Sequence, residues 1–323
     1  SEEILREVRV VDTIAPEAPV LTTTSTILNA DSITITGTAE TDATITITGG
    51  LATATGTATL GVFSLSVDLT QNATNTLSVT ATDASENESS SSVVVIVEDS
   101  EEPSITILGN NPEIAQFGSA YIDAGATAFD AVSGNLTNFI ATSSNVNTNA
   151  TGTYAVTYSV SDSVGNSTST QRVVNIVDTT PPTILLNGNN PQIVEGATDY
   201  IEAGGAATDN VDGPVNVEID ASAVVTSTVG SYAVIYTATD TSGNTTSTTR
   251  NVQVVDTTPP SIILNGSSTI TIEKGSAYID AGATASDTVS GNLTNQIASS
   301  SNVNENAVGT YEVIFSVQDG IGN

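Results

Sequence analysis

The residues of this chain that could do chemistry are carboxylates. Its 323 residues include 36 Asp and Glu against five Lys and Arg, with no His or Cys, and the formal net charge is −31. The commonest general base, the thiolate nucleophile and the nitrogen or sulfur ligands of metals are therefore missing. Such a charge repels nucleic acid and anionic membranes and attracts cations. The composition predicts a protein that is not an enzyme and does not bind nucleic acid, and its apolar runs are too short to insert into a membrane.

Many of these carboxylates recur at a fixed spacing. The turn Asp-Ser-Val-Gly-Asn at 162–166 is followed twelve residues later by Asp178 (166 to 178). Equivalent Asp residues at 99, 178 and 256 are 79 and 78 residues apart, which is the size of a small β-sandwich domain. We therefore interpret them as joints between domains. The turn and the joint recur as Asn87 with Asp99 and as Asn244 with Asp256.

Between the joints the sequence predicts strands. Runs rich in Val, Ile, Thr and Tyr alternate with Asn-Gly, Gly-Asn and Pro-Pro breakers, and no helical period is sustained. Residues 118–166 and 275–323 are mostly identical, which indicates internal duplication. We predict an all-β tandem array of four sandwich domains. They are domain 1 (13–99, with strands at 32–37, 43–48, 62–67, 77–82 and 93–97), domain 2 (100–178), domain 3 (179–256) and domain 4 (257–323).

Four motifs indicate a family. They are DTTPPTILLNG from Asp178, YIDAGATA from Tyr121, GTYAVTY from Gly152, and the Asp-x-x-Gly-Asn turn. On these residues domains 2 to 4 resemble the bacterial immunoglobulin-like domains first defined in an insecticidal crystal protein and related to the hyalin-type repeat. Domain 1, which opens Ala-Pro-x-x-Pro at Ala15, is similar to another bacterial Ig-like family that is common in surface adhesins. The resemblance implies immunoglobulin-like β-sandwiches in a secreted, cell-surface protein and assigns no chemistry by itself.

In an Ig-like sandwich, two of the turns between strands share the pole at which the chain enters, here called the N-terminal pole. Converging carboxylates with amide and backbone oxygens are what Ca²⁺ requires, about six to eight hard ligands, and without a cation they would repel one another. The sequence therefore predicts calcium at each N-terminal pole. The predicted ligands are Asp12, Asp42, Asp83 and Asn87 in domain 1; Asp99, Glu101, Asp130, Asp162 and Asn166 in domain 2; Asp178, Asp209, Asp240 and Asn244 in domain 3; and Asp256, Asp287 and Asp319 in domain 4.

The alternative is that each Asp-x-x-Gly-Asn is only a turn, in which Asp accepts a backbone N–H and Gly supplies a positive φ. That interpretation explains one Asp per domain, whereas three loops contribute carboxylates. Two basic residues also repeat. Arg172 and Arg250 lie two residues before Val174 and Val252, so in a strand they face the same, inward side as these Val residues. We predict that their stems lie along the core edge while their heads reach an acidic pole.

The two ends of the sequence are related. Aligned backwards from Asp12, residues 1–12 match the closing strands of domains 2 and 3, whereas domain 4 stops at the turn that precedes such a strand. The 67 residues from 256 to 323 and the twelve of this segment together match the spacing of 79. We expect residues 1–12 to act as a donor strand that completes domain 4 of a neighbouring copy, with Ile4, Val8 and Val10 as the polymer interface. The alternative is a longer repetitive chain cut at these points.

The functional hypothesis is a structural subunit of an extracellular filament or surface stalk. It would polymerise head to tail with itself and be stiffened by calcium between domains. The second hypothesis is a fragment of a long surface adhesin or surface-layer protein. A carbohydrate-binding or enzymatic module would need an aromatic platform or a paired-carboxylate cleft, and the sequence shows neither, with no Trp. Possible glycan sites are the Asn-x-Ser/Thr sequons at Asn72, Asn87, Asn135, Asn149, Asn166, Asn244, Asn265 and Asn292.

Overall fold

The computed structural model describes residues 2–323 and is built from β-strands, with two single-turn 3-10 segments, Thr137–Phe139 and Thr294–Gln296, among the residues it describes. The predicted all-β class is confirmed. Contacts divide the chain into two compact units, with the boundary between Val177 and Asp178. Domains 1 and 2 fall in the first unit, and domains 3 and 4 in the second.

Domain 1 has two sheets, of order β1-β3-β6 and β2-β8-β7-β4-β5. The five stretches predicted from apolar alternation all form strands. Because successive side chains of a strand point to opposite faces, Ile45, Ile47, Leu77 and Val79 are fully buried between the sheets. The strands are β1 (Val20–Leu21), β2 (Thr26–Leu28), β3 (Ser32–Thr38), β4 (Thr44–Thr48), β5 (Ala54–Thr57), β6 (Val62–Asp68), β7 (Ala73–Thr82) and β8 (Ser92–Glu98).

Domain 2 pairs a sheet of order β12-β11-β9 with one of order β10-β15-β14-β13. Its last strand, β15, is antiparallel to β14 from Ser167 opposite Ser161 to Ile176 opposite Gly152, and parallel to β10 on its other edge. The closing strand therefore lies inside its sheet. The strands are β9 (Ser104–Ile107), β10 (Glu113–Gln116), β11 (Ala126–Asp130), β12 (Gly134–Asn135), β13 (Ala141–Ser144), β14 (Gly152–Ser161) and β15 (Ser167–Val177).

Domain 3 repeats this arrangement, with sheets of order β16-β18-β19 and β17-β22-β21-β20. Val234, Tyr236 and Val252 are fully buried at the centre of its core. The strands are β16 (Thr183–Leu186), β17 (Gln192–Glu195), β18 (Gly205–Asp209), β19 (Gly213–Val215), β20 (Val217–Asp220), β21 (Gly230–Thr239) and β22 (Thr245–Val255).

Domain 4 has a sheet of order β23-β24-β25 and a two-stranded sheet of β26 and β27. The second edge of β27 pairs with no strand in residues 2–323, and residues 270–273, which correspond to β10 and β17, form no strand. Val313 and Phe315 of β27 are only half-buried, whereas the equivalent Val156 and Tyr158 are buried. The strands are β23 (Ser261–Leu264), β24 (Ala283–Asp287), β25 (Gly291–Asn292), β26 (Ala298–Ser301) and β27 (Val313–Ser316).

Residues 2–12 form no helix or strand and lie exposed. The three apolar side chains of the predicted interface are far from buried, with Ile4 91%, Val8 75% and Val10 91% exposed. Ser1 lies outside the described residues. Among residues 2–323, none of the helical segments has the length and apolar character needed to cross a membrane.

Candidate metal centres at the domain poles

Three trios of Asp lie at the N-terminal poles of domains 2, 3 and 4. In each trio one carboxylate comes from the joint, one from the end of a short strand (β11, β18 or β24), and one from the turn that precedes, or in domain 4 would precede, the closing strand. One oxygen of each member lies within 4.8 Å of the others. The trios are Asp99, Asp130 and Asp162; Asp178, Asp209 and Asp240; and Asp256, Asp287 and Asp319.

Local turn chemistry accounts for only part of these carboxylates. Oδ1 of Asp130 accepts the backbone N–H groups of Val132 and Ser133 at 2.9 and 2.7 Å. Its Oδ2 is buried and makes no hydrogen bond within the described residues. In Asp209 and Asp287, likewise, Oδ1 accepts two backbone N–H groups, and Oδ2 is buried without a hydrogen-bond partner among the described residues. The turn interpretation is thus correct for one oxygen of each residue and leaves the other unexplained.

The turn at 162–166 is joined to the entering chain by its Asn. Nδ2 of Asn166 donates to Oδ2 of Asp162 at 2.6 Å and to the backbone oxygen of Asp99 at 3.0 Å. The same pair of bonds is made by Asn244 and by Asn323. These amides fix the joint to the turn through nitrogen, and a role of Asn166 or Asn244 as a calcium ligand stays a prediction.

Asp99 carries the strongest electrostatic signal of the first trio. It is 1% exposed, and neither of its carboxylate oxygens has a hydrogen-bond partner in the described chain. Burial, together with repulsion from Asp130 and Asp162, raises the pKa of Asp99 above its ordinary value. Burial and the charges of Asp287 and Asp319 likewise raise the pKa of Asp256. At both poles, burial and like charges outweigh the backbone N–H groups that lower the pKa, such as that of Thr258, which donates to Asp256 at 3.4 Å.

The turn carboxylates behave in the opposite way. Burial favours the neutral form of Asp162, yet the hydrogen bonds from Asn166, Val164 and Gly165 outweigh it and lower its pKa. The same balance lowers the pKa of Asp319. The first and third trios therefore each keep an ionised turn carboxylate against a buried joint carboxylate, which is an arrangement that a hard cation would relieve.

One residue of the first pole was missed from the sequence. Glu98 is fully buried, its Oε2 accepts the N–H of Asn72 at 2.6 Å, and its Oε1 has no hydrogen-bond partner among residues 2–323. Its charge also raises the pKa of Asp99. The available signal was that a Glu precedes the joint residue Asp99, whereas Val177 and Val255 precede the joint residues Asp178 and Asp256. Glu101, which was predicted as a ligand, is exposed and belongs to no trio.

Domain 1 differs from its neighbours. Asp12, Asp42 and Asp83 belong to none of the three groups found in residues 2–323. Asn87 makes the familiar bonds, to Oδ2 of Asp83 at 2.8 Å and to the backbone oxygen of Asp12 at 3.3 Å. Asp42, however, is exposed in a tight turn with φ 63°, and its N–H donates to Ala58. The loop after β3 therefore holds its carboxylate in solvent.

The repeated arginines form a separate buried site, called the arginine cradle below. Arg172 is 1% exposed; its Nε lies 3.1 Å from Oδ1 of Asp123, and its guanidinium donates to the backbone oxygens of Leu108, Gly125 and Asn110. The Nε contact is an ion pair without hydrogen-bond alignment. Burial would raise the pKa of Asp123, but hydrogen bonds from Tyr158 and Tyr121 keep it lowered. The prediction that the arginine head reaches an acidic pole is wrong, because the guanidinium is satisfied inside the sandwich.

Domain 3 contains the same cradle with Glu in place of Asp. Arg250 is fully buried, with its Nε 2.7 Å from the hydroxyl of Tyr236 and 3.6 Å from Oε1 of Glu202. Its guanidinium donates to the backbone oxygens of Asn187 and Gly204. Each of the two domains therefore has one ion pair, in which the arginine is buried and the carboxylate is partly exposed.

Comparison with known proteins identifies the domains. Residues 105–176, 184–254 and 262–323 match the family described as "Bacterial surface protein, Ig-like domain". The chain belongs to this family of bacterial surface Ig-like proteins. Residues 15–99 match a second family, described as "Bacterial Ig domain". The resemblance stated from the motifs is confirmed for the bacterial Ig-like class, and with it the immunoglobulin-like fold.

This surface Ig-like chain is similar to two curated proteins. It is 31% identical over 203 residues to pesticidal crystal protein Cry22Aa of Bacillus thuringiensis, covering 60% of this chain and 28% of that protein. It is 29% identical over 220 residues to an uncharacterized 81.3 kDa protein of Acholeplasma phage L2, covering 61% of this chain and 28% of that one. The chain thus spans about a quarter of the length of these relatives.

Several solved structures align with this surface Ig-like chain at low sequence identity. A three-domain fragment of the titin I-band aligns with TM-score 0.41 and 13% identity, covering 76% of this chain and all of the fragment. A protocadherin gammaB7 cis-dimer structure aligns with TM-score 0.37 and 16% identity, covering 88% of this chain and 87% of that one.

Proposed function

We propose that this chain is a structural segment of an extracellular bacterial surface protein, a row of Ig-like domains whose joints are held by calcium. The observation that supports this most is the set of three Asp trios, because buried oxygens of Asp99, Asp130 and Asp256 face like charges without a hydrogen-bond partner in the described residues. An Ig-like fold by itself assigns no catalytic activity. The proposed structural role therefore rests on the carboxylates at the N-terminal poles.

Calcium fits the donor set better than other common metals. All of the candidate ligand atoms are oxygens, whereas zinc and copper sites prefer nitrogen and sulfur ligands. Three carboxylates from three separate loops suit the large and irregular coordination shell of Ca²⁺, whereas Mg²⁺ demands a near-ideal octahedron. A chain with a net charge of −31 also concentrates divalent cations around it.

A cation at a pole would bind the joint to two loops of the following domain. The joint between domains 3 and 4 is already restrained, since Oε1 and Oε2 of Glu195 accept from Thr257 and Thr258 at 2.8 to 2.9 Å. Two prolines, Pro259 and Pro260, follow directly and fix their own φ angles. Calcium would add the remaining restraint and turn a chain of domains into a stiff spacer.

Thermal unfolding and X-ray scattering with calcium or with chelator test this proposal. Because the ion binds only the folded state, calcium should raise the melting temperature, and removing it should make the scattering profile that of a more flexible chain. Magnesium at equal concentration serves as the control ion. An unchanged melting temperature together with an unchanged profile contradicts calcium bracing.

A second candidate function, head-to-tail polymerisation with other copies of this chain, is favoured by a different observation. The free edge of β27 lies beside half-buried Val313, Phe315 and Val317, and an exposed segment at residues 2–12 has the residue pattern of a closing strand. Insertion would bury Ile4, Val8 and Val10, each contributing about 1.5–3 kcal/mol when fully buried, and would pair an open strand edge.

Electron microscopy of the full chain and of a variant lacking residues 2–11 tests the strand donation. The full chain should form fibres that advance by roughly 140–180 Å per copy, estimated from four domains with strands of about ten residues at 3.3 Å each plus loops. The deletion variant should remain as separate single copies. Fibres of the same axial repeat from the deletion variant would refute strand donation and favour a spacer within a long surface adhesin.

A further inference from the structure

Domain 4 keeps the arginine cradle but supplies no arginine to it. The N–H of Asn265 donates to the backbone oxygen of Gly282 at 2.9 Å, as Leu108 does to Gly125 and Asn187 to Gly204. The N–H of Gly282 donates to Oδ1 of Asp280 at 2.6 Å, and the hydroxyl of Tyr278 also donates to Asp280. The three glycines share one backbone conformation, with φ of 78°, 76° and 77°. The carboxylate and the glycine carbonyl that hold Arg172 and Arg250 are therefore present a third time.

Space for a guanidinium is present as well. A Cβ added at Gly109 would lie 3.5 Å from Nη1 of Arg172, and one added at Gly188 would lie 3.6 Å from Nη1 of Arg250. At the equivalent Gly266 the nearest atom is Cβ of Ala281 at 3.9 Å. Within residues 2–323 no basic side chain pairs with Asp280, and the carboxylate is exposed.

We propose that this third cradle is the recognition pocket for Arg6 of a second copy of the chain. This inference rests on the proposed strand donation and deepens it, because it names the side chain that fixes the donor's register. Arg6 stands six residues before Asp12, as Arg172 and Arg250 stand six before Asp178 and Asp256. A buried Arg with a carboxylate partner and carbonyl acceptors is geometrically demanding, so a strand shifted by two residues would leave both charges unpaired.

The register brings a second pair of residues together. In domains 2 and 3 the arginine lies opposite Val156 or Val234, and the next inward pair is Tyr158 opposite Thr170 or Tyr236 opposite Thr248. In domain 4 the tyrosine is replaced by Phe315, and in the donor segment the threonine is replaced by Ile4. A polar pair in the internal domains thus becomes an apolar pair between copies. Phe315 and Ile4, the two members of the apolar pair, both belong to this chain, which points to a second copy as the occupant.

The loss of the tyrosine hydroxyl strengthens the dependence on Arg6. In domain 2 the hydroxyls of Tyr158 and Tyr121 both donate to Asp123, and both are available to offset its burial. Phe315 has no hydroxyl, so Asp280 keeps only the donors of Tyr278 and Gly282. When the donor strand covers it, the guanidinium of Arg6 must supply the missing compensation.

The chain offers a matched control for this pocket. Arg9 lies three residues from Arg6, carries the same charge and has the opposite parity, corresponding to Asn175 on the outward side of β15. Replacing either arginine changes the net charge of the donor by the same amount. A difference between the two variants therefore reports the pocket and not general electrostatic attraction.

The test uses the chain lacking residues 2–11 as acceptor and a fluorescent peptide of residues 1–14 as donor, with binding followed by anisotropy. The wild-type peptide should bind, the Arg6→Ala peptide should bind about tenfold more weakly or worse, and the Arg9→Ala peptide should stay within about twofold. Arg6→Lys should not restore binding, since a lysine cannot reproduce the planar set of donors. In the acceptor, Asp280→Asn should weaken the wild-type peptide and leave the Arg6→Ala peptide unaffected.

The outcomes separate this inference from the function on which it rests. Equal binding of the wild-type and Arg6→Ala peptides, or equal losses for Arg6→Ala and Arg9→Ala, overturns the recognition pocket while leaving strand donation in place. No binding of the wild-type peptide, with fibres still formed by the deletion variant, overturns strand donation itself. A circular dichroism spectrum of the Asp280→Asn acceptor matching that of the parent shows that its β structure is intact.

Discussion

Domains 3 and 4 share a sequence skeleton but differ in their second sheet. In domain 3 the closing strand β22 lies between β17 and β21, and β21 is ten residues long. In domain 4, where no closing strand is paired in the described residues, the equivalent β27 has four residues and the counterpart of β17 forms no strand. Ile272 is 38% exposed, whereas the equivalent Val194 is 9% exposed.

The comparison shows that the closing strand is needed for two neighbouring strands of the second sheet, the equivalents of β17 and β21. The parallel strand β17 makes its sheet hydrogen bonds only to β22, so it has no partner once that strand is lacking. The first sheet of domain 4 remains, because β23 and β24 pair with each other from Ser261 opposite Ser286 to Leu264 opposite Ala283. Completing domain 4 should therefore create sheet structure as well as cover a core.

The largest expected effect comes from completing domain 4 within one chain. Fusing residues 1–12 directly after Asn323 reproduces the spacing at which β15 follows Asn166. The free energy of unfolding of domain 4 should rise by several kcal/mol, since three large apolar side chains become buried at about 1.5–3 kcal/mol each before entropy is subtracted. Hydrogen exchange should show new protection at 270–273. The same fusion with Arg6→Ala is the control, and an unprotected 270–273 in the parent fusion would contradict the comparison.

The next largest effect is expected for Arg250→Ala. This change leaves Glu202 and the backbone oxygens of the cradle without their buried partner, and it should lower the unfolding free energy of domain 3 by roughly 3 kcal/mol. Urea unfolding followed by hydrogen exchange in β21 and β22 measures it. In the chain without a donated strand, Arg6→Ala should change nothing, because residue 6 is exposed there. Equal losses from both variants would contradict the distinct roles of the two arginines.

At the N-terminal pole of domain 2, we expect a substitution whose effect on the melting temperature changes sign with calcium. Because the pKa of Asp99 is raised by burial and by neighbouring carboxylates, Asp99→Asn should raise the melting temperature of the metal-free protein. In calcium the variant should lose part of the metal-dependent stabilisation, since a ligand has been removed. Asp42→Asn, which alters an exposed carboxylate outside the trios, is the matched control. A melting temperature lowered equally with and without calcium would argue for a purely structural Asp99.

The smallest expected effect is a change in the acid sensitivity of domain 2. The pKa of Asp123 is held below its ordinary value of 3.8, so its contribution to stability is present above that pH and is lost as the pH falls through the lowered value. Asp123→Asn should therefore flatten the stability of domain 2 below about pH 4, as followed by acid titration with circular dichroism. An acid profile of the Asp123→Asn variant that matches the parent profile would contradict this role of Asp123.

The sequence could predict the features that depend on the spacing of residues within one repeat. The five domain 1 strands follow from alternation, and the carboxylates that meet at the poles of domains 2 to 4 follow from turns placed at fixed positions in the repeat. Within the first pole, Glu98 was hidden because its side chain is buried by the particular packing of Asn72 and Ser100 around it. Loop geometry in domain 1 was equally hidden, since the turn at Asp42 belongs to a different Ig-like family.

The arginine cradle shows why the rest could not be predicted. Arg172 and Asp123 lie far apart in sequence and meet only when two sheets pack face to face. A signal did exist: the position after Tyr-Ile is acidic in all three repeats, as Asp123, Glu202 and Asp280, and an arginine recurs on the closing strand. Parity placed the arginine correctly on the inward side. Parity alone, however, carries no information about which acceptors a long side chain will find.

The parallel pairing of β10 with β15 has a mechanical consequence. Both strands run from the N-terminal pole towards the opposite end of domain 2, so tension applied through its two joints pulls them in opposite directions along their length. The four register pairs, from Glu113 opposite Val174 to Gln116 opposite Val177, are then loaded together and must rupture together. Shear of this kind resists force better than the sequential opening of a hairpin. A donated strand in the position of β15 would place the same kind of shear load on domain 4 of a second copy.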